Sequence, residues 1–446
     1  MPRILLFLTL LSSLSCATQS LHTADWLEVT SPHFRVVSSL GPEDTMELSG
    51  DLERMRYATE FLLGERMQPA SMRTQVYAFD DRSLARPFDL RGQPSYFLST
   101  LNGGIIVLRT GGGGREDSRW RLRHDYAHHL LRNHTGMTTS LWLDEGFAQF
   151  LSTLQVKNES ADLGITRKDH LIRLRNRLRL SLAGVLQMQT MEGVSEQERQ
   201  AFEAEAWALI HYLSFEVGDP AEAAKRRRNY FAALASGKPR TQAFKDAFGM
   251  DEDSFERKLF HYVRKPRFDS LQLNLSDSWK PTPADIRPLS QPDAIADLGW
   301  LSIDLGKPAQ ARQYFKMALA SEPRNARAQA GLAASARLEG NATEARDEGL
   351  RGLQGSPNHP VLHLEVGRAY HELARSAATV QEQKQWAQLA QEHYLKSIEG
   401  NPDNPAPSAL LGETYLLESQ DTSKAKAPLD AAQKQLPSSL EILRLQ

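Results

Sequence analysis

The chain has 446 residues, of which 24% are charged and 41% hydrophobic, and its formal net charge at pH 7 is −2. This length is sufficient for two or three domains, and the composition is that of an ordinary soluble globular protein. The near-neutral charge excludes the strongly basic character that marks many nucleic-acid-binding proteins, so we expect no nucleic-acid partner.

The N-terminus predicts export. Arg3 precedes eleven largely apolar residues (4–14) and a few small ones, which is the layout of a secretory signal peptide. We therefore expect a signal at residues 1–17. The apolar run is too short to span a bilayer and no later run is long enough, so no transmembrane segment is expected.

Two ways of processing this signal remain open. Cys16 is the single cysteine of the chain. Ser15-Cys16-Ala17 fits a small-x-small cleavage site, with Thr18 as the first mature residue. Alternatively, Cys16 becomes the lipidated first residue of a bacterial lipoprotein. Both alternatives predict an exported protein, periplasmic or membrane-anchored, and both leave no cysteine for a disulfide.

Short strands and one long helix follow. Three local patterns indicate them: β-branched and aromatic residues between turn residues, apolar residues at helical spacing, and the turn dipeptide Asn102-Gly103. We expect strands at residues 26–29, 34–37, 74–79, 96–98 and 104–108, and a helix at residues 45–63.

The centre of the chain carries a pattern of metal ligands. His124 and His128 are four residues apart in a predicted helix (118–131) and therefore project from the same face. Two imidazoles in this arrangement can bind one zinc ion. A carboxylate from a second helix, predicted at residues 140–154, would complete a three-ligand site with an open fourth position, as in catalytic zinc sites. The alternative is a polar patch between two packed helices.

A family resemblance gives this pattern a function. The segment His124-Asp125-Tyr126-Ala127-His128, followed by Trp142-Leu143-Asp144-Glu145-Gly146-Phe147-Ala148, resembles the gluzincin superfamily, which includes aminopeptidase-N-type enzymes. Residues 123–131 are also similar to a bacterial group described as peptidase-MA-like. The resemblance implies an α+β zincin-like domain of the thermolysin or gluzincin type over residues 22–265. It also implies a general base at Asp125 and a Zn²⁺ ion bound by His124, His128 and Glu145.

The sequence departs from that family at two places. Asp125 stands where glutamate is usual, and its side chain is shorter by one C–C bond, about 1.5 Å. The resemblance also implies that a Tyr or His from a later helix stabilises the oxyanion, which makes His211 and Tyr212 the candidates. The aromatic residue expected a turn earlier is replaced by Glu203. Both departures lower the expected turnover, because a misplacement of about 1 Å can cost on the order of 100-fold in rate.

Two further segments have possible substrate roles. In gluzincins an edge strand beside the cleft pairs with extended substrate, so residues 105–108 are expected either to bind peptide by strand addition or to be an ordinary sheet strand. Residues 167–182 are basic and rich in leucine. They form either a groove for acidic substrate or a solvated helix face.

The last third of the chain is repetitive. Prolines among polar residues predict a linker at residues 266–290. Beyond it, Pro323, Pro357, Pro402 and Pro437 are spaced 34, 45 and 35 residues apart, close to the 34-residue period of tetratricopeptide repeats. We expect an all-α tetratricopeptide-repeat superhelix over residues 291–446, with longer helices where the spacing is 45. Small and aromatic residues recur at the matching positions: Gly299, Phe315, Gly367, Tyr370, Ala390 and Gly412.

Together these features predict an exported zinc metallopeptidase that hydrolyses peptide bonds through a zinc-activated water. The repeats would recruit a protein partner or substrate, since such arrays form concave binding surfaces; the alternative is a helical cap that only stabilises the peptidase-like domain. The alternative function is a catalytically weak or inactive zincin-fold protein that acts as a protein-binding scaffold in the cell envelope.

Overall fold

The computed structural model describes residues 24–63, 72–80, 82–89, 95–110, 115–134, 140–157, 160–176, 180–216, 220–274, 284–419, 422–436 and 439–445. The predicted signal at residues 1–17 and its Cys16 lie outside the described residues. The chain divides into two compact units, each assembled from segments far apart in sequence. The first comprises Met1–Glu47, Pro69–Arg115 and Ala284–Gln446, and the second comprises Leu48–Gln68 and Glu116–Pro283.

A mixed six-stranded sheet forms one layer of the first unit. Its strands are β1 Leu27–Thr30, β2 Phe34–Ser38, β3 Thr74–Phe79, β4 Ser95–Thr100, β5 Gly103–Arg109 and β9 Asp285–Pro288. Their order across the sheet is β4-β5-β3-β2-β1-β9. Strands β2, β3 and β5 run parallel, and the remaining neighbours pair antiparallel. The predicted strands and the hairpin at Asn102-Gly103 are confirmed, and Gly103 adopts a φ of 106° at the turn.

Strand β5 lies inside this sheet, which decides between the two alternatives for residues 105–108 in favour of an ordinary sheet strand. Ile105 to Arg109 pair with β3, and Gly103 to Leu108 pair with β4. Both hydrogen-bonding edges of β5 are therefore taken. The sequence could not show this, because a buried strand and an edge strand carry the same short apolar run.

The helices of the first unit from Gln291 onward pack in pairs and are tetratricopeptide-type repeats. Phe315 packs so tightly between two neighbouring helices that a Cβ on Gly299 or Gly331 would lie 2.5 Å or 2.2 Å from its ring. The wide proline spacing is explained by α16, which is 21 residues long. The helices are α11 Gln291–Asp304, α12 Pro308–Ser321, α13 Ala326–Leu338, α14 Ala342–Gly355, α15 Pro360–Arg375, α16 Val380–Gly400, α17 Pro405–Ser419, α18 Thr422–Gln435 and α19 Leu440–Leu445.

The sheet and the first repeats share one hydrophobic core, so the chain divides differently from the predicted domains at 22–265 and 291–446. Phe88, in a 3-10 turn at Arg86–Phe88, stacks on Tyr314 of α12 with ring centroids 5.9 Å apart. Arg35 of β2 forms a two-point ion pair with the buried Asp297 of α11, at 3.1 and 2.7 Å.

The segment predicted as a linker, residues 266–290, contains two strands. Strand β9 pairs antiparallel with β1, and Arg287 of β9 donates to Glu28 at 2.7 Å. The second strand, β8 Leu271–Asn274, belongs to the second unit. Pro288 is the last residue of β9, which lies at the edge of the sheet, and an edge strand tolerates a residue that cannot donate a backbone hydrogen bond. Pro281 and Pro283 lie outside the described residues.

The second unit is mainly helical, with a small antiparallel sheet of β6 Gln155–Lys157, β7 Ser160–Leu163 and β8. The boundary between the units falls inside helix α1, Pro42–Leu63. No helix among the described residues of the chain is long and apolar enough to span a membrane. The helices after α1 and the short α2 (Arg82–Ala85) are α3 Arg115–His134, α4 Leu141–Leu151, α5 Lys168–Arg175, α6 Leu182–Gln187, α7 Glu196–Phe215, α8 Pro220–Ala235, α9 Arg240–Phe248 and α10 Glu252–Tyr262.

Candidate metal centre

Helix α3 presents two imidazoles side by side. His124 and His128 are one helical turn apart, and their Nε2 atoms lie 3.2 Å from each other. Two nitrogens bound to one zinc at 2.0–2.1 Å with tetrahedral angles are about 3.3 Å apart. The observed separation therefore fits two ligands of one ion. Trp120, one turn earlier, stacks on the His124 ring with centroids 5.5 Å apart.

Helix α4 brings Glu145 to the same place. Its Oε1 lies 3.4 Å from Nε2 of His124, and its Oε2 lies 3.5 Å from Nε2 of His128. Among the described residues, these three side chains form the one group of His, Cys, Asp or Glu placed to hold a metal ion. Two nitrogens and a carboxylate oxygen are the donor set of many catalytic zinc sites.

A close helix crossing supports the position of Glu145. Gly146 packs against α7 so tightly that a Cβ at this residue would lie 2.5 Å from the carbonyl oxygen of Ala206 and 2.8 Å from Ile210. Only a glycine permits α4 to approach α7 this closely. The Glu-Gly pair of the motif thus has two physical functions: the glutamate faces the histidines, and the glycine allows the close contact.

Two side chains that the sequence reasoning missed orient these ligands. The Asp144 carboxylate lies 3.1 Å from Nδ1 of His128, which is the usual arrangement for fixing the tautomer of a metal-binding histidine. Gln149 donates from Nε2 to Oε1 of Glu145 at 2.9 Å. The available signals were local: Asp144 is adjacent to the ligand, and Gln149 lies one turn further along α4.

Burial and hydrogen bonding separate the protonation states of the three candidate ligands. Burial lowers the pKa of His124 to about 3, so its imidazole is neutral at pH 7. Burial would also lower the pKa of His128, but hydrogen bonds to Asp144 and Glu145 outweigh it and raise that pKa to about 9. Burial alone would raise the pKa of Glu145, but the bond from His128 and the charges of both histidines lower it to about 2. The glutamate is therefore ionised, as a ligand must be.

Two more carboxyl groups belong to the surroundings of this cluster. Burial raises the pKa of Asp125 to about 6, while the positive charges of His128 and Arg121 act against the rise. Burial and the negative charge of Glu145 raise the pKa of Glu203 to about 7. Glu203 occupies the α7 position where an aromatic residue was expected, and it forms an ion pair with Arg199.

The structure does not bring His211 and Tyr212 to the cluster, which corrects their assignment as oxyanion stabilisers. His211 is fully buried, and both ring nitrogens are engaged: Nε2 bonds to the Gly164 carbonyl at 2.7 Å and Nδ1 to the Tyr262 hydroxyl at 2.6 Å. Tyr212 packs edge-on against Phe255 and Tyr262 of α10. It is about 200° around α7 from Ile210, which faces α4.

Comparison with known proteins identifies no family. No protein-family model matches the sequence, and no curated protein matches it. Solved structures give a slight likeness to helical repeat proteins. A tetratricopeptide-repeat protein of Thermus thermophilus has a TM-score of 0.32 and 23% identity, over 34% of this chain and 78% of that chain. Human IFIT1 dimers with m7Gppp-AAAA and with PPP-AAAA have TM-scores of 0.28 and 0.26 and identities of 15% and 16%. Both matches cover 60% of this chain, and they cover 73% and 72% of the respective IFIT1 chains. Scores this low carry no argument, so the repeat assignment rests on the helix pairs themselves.

Proposed function

We propose that this protein is an exported zinc-dependent metallopeptidase whose zinc ligands are His124, His128 and Glu145. The convergence of these three side chains supports the proposal, with nitrogen atoms 3.2 Å apart and a carboxylate reaching both. The orienting contacts of Asp144 and Gln149 support it further. The apolar residues 4–14 support export.

Zinc bound at this cluster would supply Lewis-acid polarisation of a peptide carbonyl and a more acidic water molecule. Asp125 follows the first ligand on α3 and lies about 60° around the helix from His128. Its carboxylate would accept the proton of the attacking water and deliver it to the leaving amine. Hydrolysis then needs no covalent intermediate with the protein, which fits a cluster made of two histidines and a glutamate.

The tetratricopeptide-type helices support a second part of the proposal. Arrays of paired helices bind other proteins through extended surfaces. In this chain the repeats would recruit a protein partner or the protein substrate itself. The first repeats also form a core with the sheet, so they stabilise the first unit as well.

A second candidate function is a scaffold that holds zinc but turns over weakly or not at all. Two observations favour it: Asp125 is one methylene shorter than the usual glutamate, and neither His211 nor Tyr212 is placed to donate to an oxyanion. Replacing Asp125 with Glu distinguishes the two functions. A large gain of proteolysis would indicate a decayed enzyme, and a loss would indicate a site adapted to aspartate.

Metal analysis of the purified, untagged protein tests the proposal. We expect about one zinc per chain in the wild type and none in His128→Ala. His261→Ala is the matched control, because His261 is exposed and on α10, and it should keep the metal. Peptide cleavage should disappear in Asp125→Asn while zinc is retained. A wild-type protein that cannot be loaded with zinc, or an Asp125→Asn variant with full activity, would overturn the respective assignment.

A further inference from the structure

The segment before α5 places an arginine beside the metal centre. Nε of Arg167 bonds to Asp169 at 3.1 Å, and Nη2 bonds to the same carboxylate at 2.6 Å. This two-point contact holds the guanidinium plane in one orientation. A guanidinium has five N–H donors, and Asp169 uses two of them. The edge formed by Nη1 and the second hydrogen of Nη2 remains for another acceptor.

One of the two nitrogens of that edge is shielded from water. Nη1 of Arg167 is buried and has no hydrogen-bond partner among the described residues. The indole Nε1 of Trp120 is in the same state. A buried donor without an acceptor costs about 1–3 kcal/mol, so two such donors close together indicate that an acceptor group binds there in the working protein.

Aromatic stacking connects these donors to the metal ligands. The guanidinium carbon of Arg167 lies 3.9 Å from the centroid of the Trp120 ring. The Trp120 ring in turn stacks on the His124 imidazole, with an angle of 25° between the planes. The positive charge of Arg167 is also close enough to act on His124. The Trp120 ring therefore contacts both the Arg167 guanidinium and the candidate metal ligand His124.

From these contacts we infer that Arg167, with Trp120, forms a subsite that binds a carboxylate group of the substrate next to the cleavage position. A carboxylate accepts two parallel hydrogen bonds from one guanidinium edge. The paired Asp169 does not cancel the charge of Arg167 in full, because its side chain is 54% exposed and the pair is screened by water. The inference rests on the proposed peptidase function and names its substrate class.

Two sources could supply this carboxylate: the C-terminus of a peptide, or an acidic side chain. The carboxylate of a terminal residue directly after the scissile bond lies about 3.5 Å beyond the scissile carbonyl, and that of the next residue about 7 Å beyond it. An acidic side chain near the scissile bond reaches a similar distance.

Four labelled peptides that differ at only two places distinguish these sources. They end in a free acid or an amide and carry either Glu or Gln after the scissile bond. Binding is measured by fluorescence anisotropy with full-length, zinc-loaded protein in the Asp125→Asn background, so that the peptides stay intact. We expect the preferred carboxylate to strengthen binding by about 10- to 100-fold over its neutral counterpart. Arg167→Gln should abolish this preference and leave the zinc content unchanged.

The variants separate a binding role from a folding role. Arg167→Lys keeps the charge without the two-donor edge and should retain only part of the preference. Lys168→Gln removes one positive charge from the neighbouring residue on α5 and should keep the preference whole. Should Arg167→Gln fail to fold, the lysine variant alone decides. A folded lysine variant with the full preference, or equal binding of all four peptides to Asp125→Asn, overturns the subsite.

Failure of the subsite and failure of the proposed function give different results. If the wild type cleaves all four peptides at equal rates, the subsite is wrong and the peptidase assignment stands. If no peptide is cleaved but binding still depends on Arg167 and a carboxylate, the subsite stands and the peptidase assignment is wrong.

Discussion

Replacing Gly146 with alanine should displace a metal ligand without changing any polar group. The new Cβ would lie 2.5 Å from the Ala206 carbonyl oxygen, whereas ordinary contacts begin at 3.4 Å. Helices α4 and α7 must therefore separate locally by about 0.9 Å, the difference between these two distances. Backbone oxygen and backbone carbon cannot move aside as a flexible side chain would, so the strain falls on the helix crossing. Glu145 is the adjacent residue and moves with α4.

The cost follows from two opposing effects. Overpacking of this kind destabilises a protein by about 1–3 kcal/mol. Alanine in place of glycine within a helix returns up to about 1 kcal/mol. We therefore expect a net loss of about 1–2 kcal/mol, or ~2–8 °C in unfolding temperature for a unit of this size. A ligand displaced by about 1 Å should also lower the cleavage rate on the order of 100-fold.

Three measurements on the Gly146→Ala variant test this reasoning: thermal unfolding, zinc affinity and peptide cleavage. Gly355→Ala is the control, because Gly355 ends helix α14 and a Cβ there would meet nothing within 4 Å. That variant should be neutral or gain up to about 1 kcal/mol. If Gly146→Ala unfolds at the wild-type temperature and keeps its zinc affinity, the close crossing of α4 and α7 does not position Glu145.

Three other changes test electrostatic contacts. Asp144→Asn removes the carboxylate that contacts His128, so the affinity of the protein for zinc should fall about 10- to 100-fold. A competition titration with a zinc chelator measures this affinity, and an unchanged value would contradict the contact. Arg35→Met removes one of the cations that pair with the buried Asp297. Denaturant titration should then show a free energy of unfolding that is lower by about 2–3 kcal/mol. An unchanged free energy of unfolding would contradict the shared core of sheet and repeats. Burial raises the pKa of Asp304 to about 7 from an ordinary value of 3.8. The folded state therefore holds a proton that the unfolded chain releases, and stability falls as pH rises between these values. Asp304→Asn should reduce the fall between about pH 5 and pH 8 by up to ~3 kcal/mol, because about two pKa units of the shift lie in this range and each corresponds to about 1.4 kcal/mol. Denaturant titration at the two pH values measures the fall, and an equal pH dependence in both proteins would contradict the reasoning.

Local elements were predictable from the sequence because their signals are local. The hairpin at Asn102-Gly103 and the repeat period of the prolines depend on residues close in the chain. The division into units was not predictable in this way. Strand β9 is four residues long, and its pairing of Arg287 with Glu28 joins residues 259 apart in sequence. No periodicity within a window of a dozen residues can report such a contact.

Contacts between residues far apart in sequence also decide which side chains lie at the metal centre. The convergence of His124, His128 and Glu145 was expected from helical spacing and family resemblance, and the structure places these side chains together. His211 and Tyr212 cannot be assigned to a face of α7 from the sequence, because residues 204–213 of this helix are all buried. A helical segment that is buried all round has no single apolar face that would show which side meets a site. Only the packing against α4 and α10 decides which side chains point to the metal ligands.

The positions of buried polar groups without hydrogen-bond partners also bear on whether the cluster binds a metal and a substrate. A protein gains stability from apolar packing and loses it by burying ionisable groups, so unsatisfied groups are expected mainly where a ligand compensates them. Three partly buried ionisable side chains lie together at the cluster, and Nδ1 of His124 has no partner among the described residues. The unused donors of Arg167 and Trp120 lie next to it. A cation at the histidines would remove the need for His128 to hold a proton, and an anion at Arg167 would satisfy the remaining donors. A cation site next to an anion site fits a substrate whose polarised carbonyl lies at the zinc and whose carboxylate lies at Arg167. A scaffold that only holds zinc would not require the anion site.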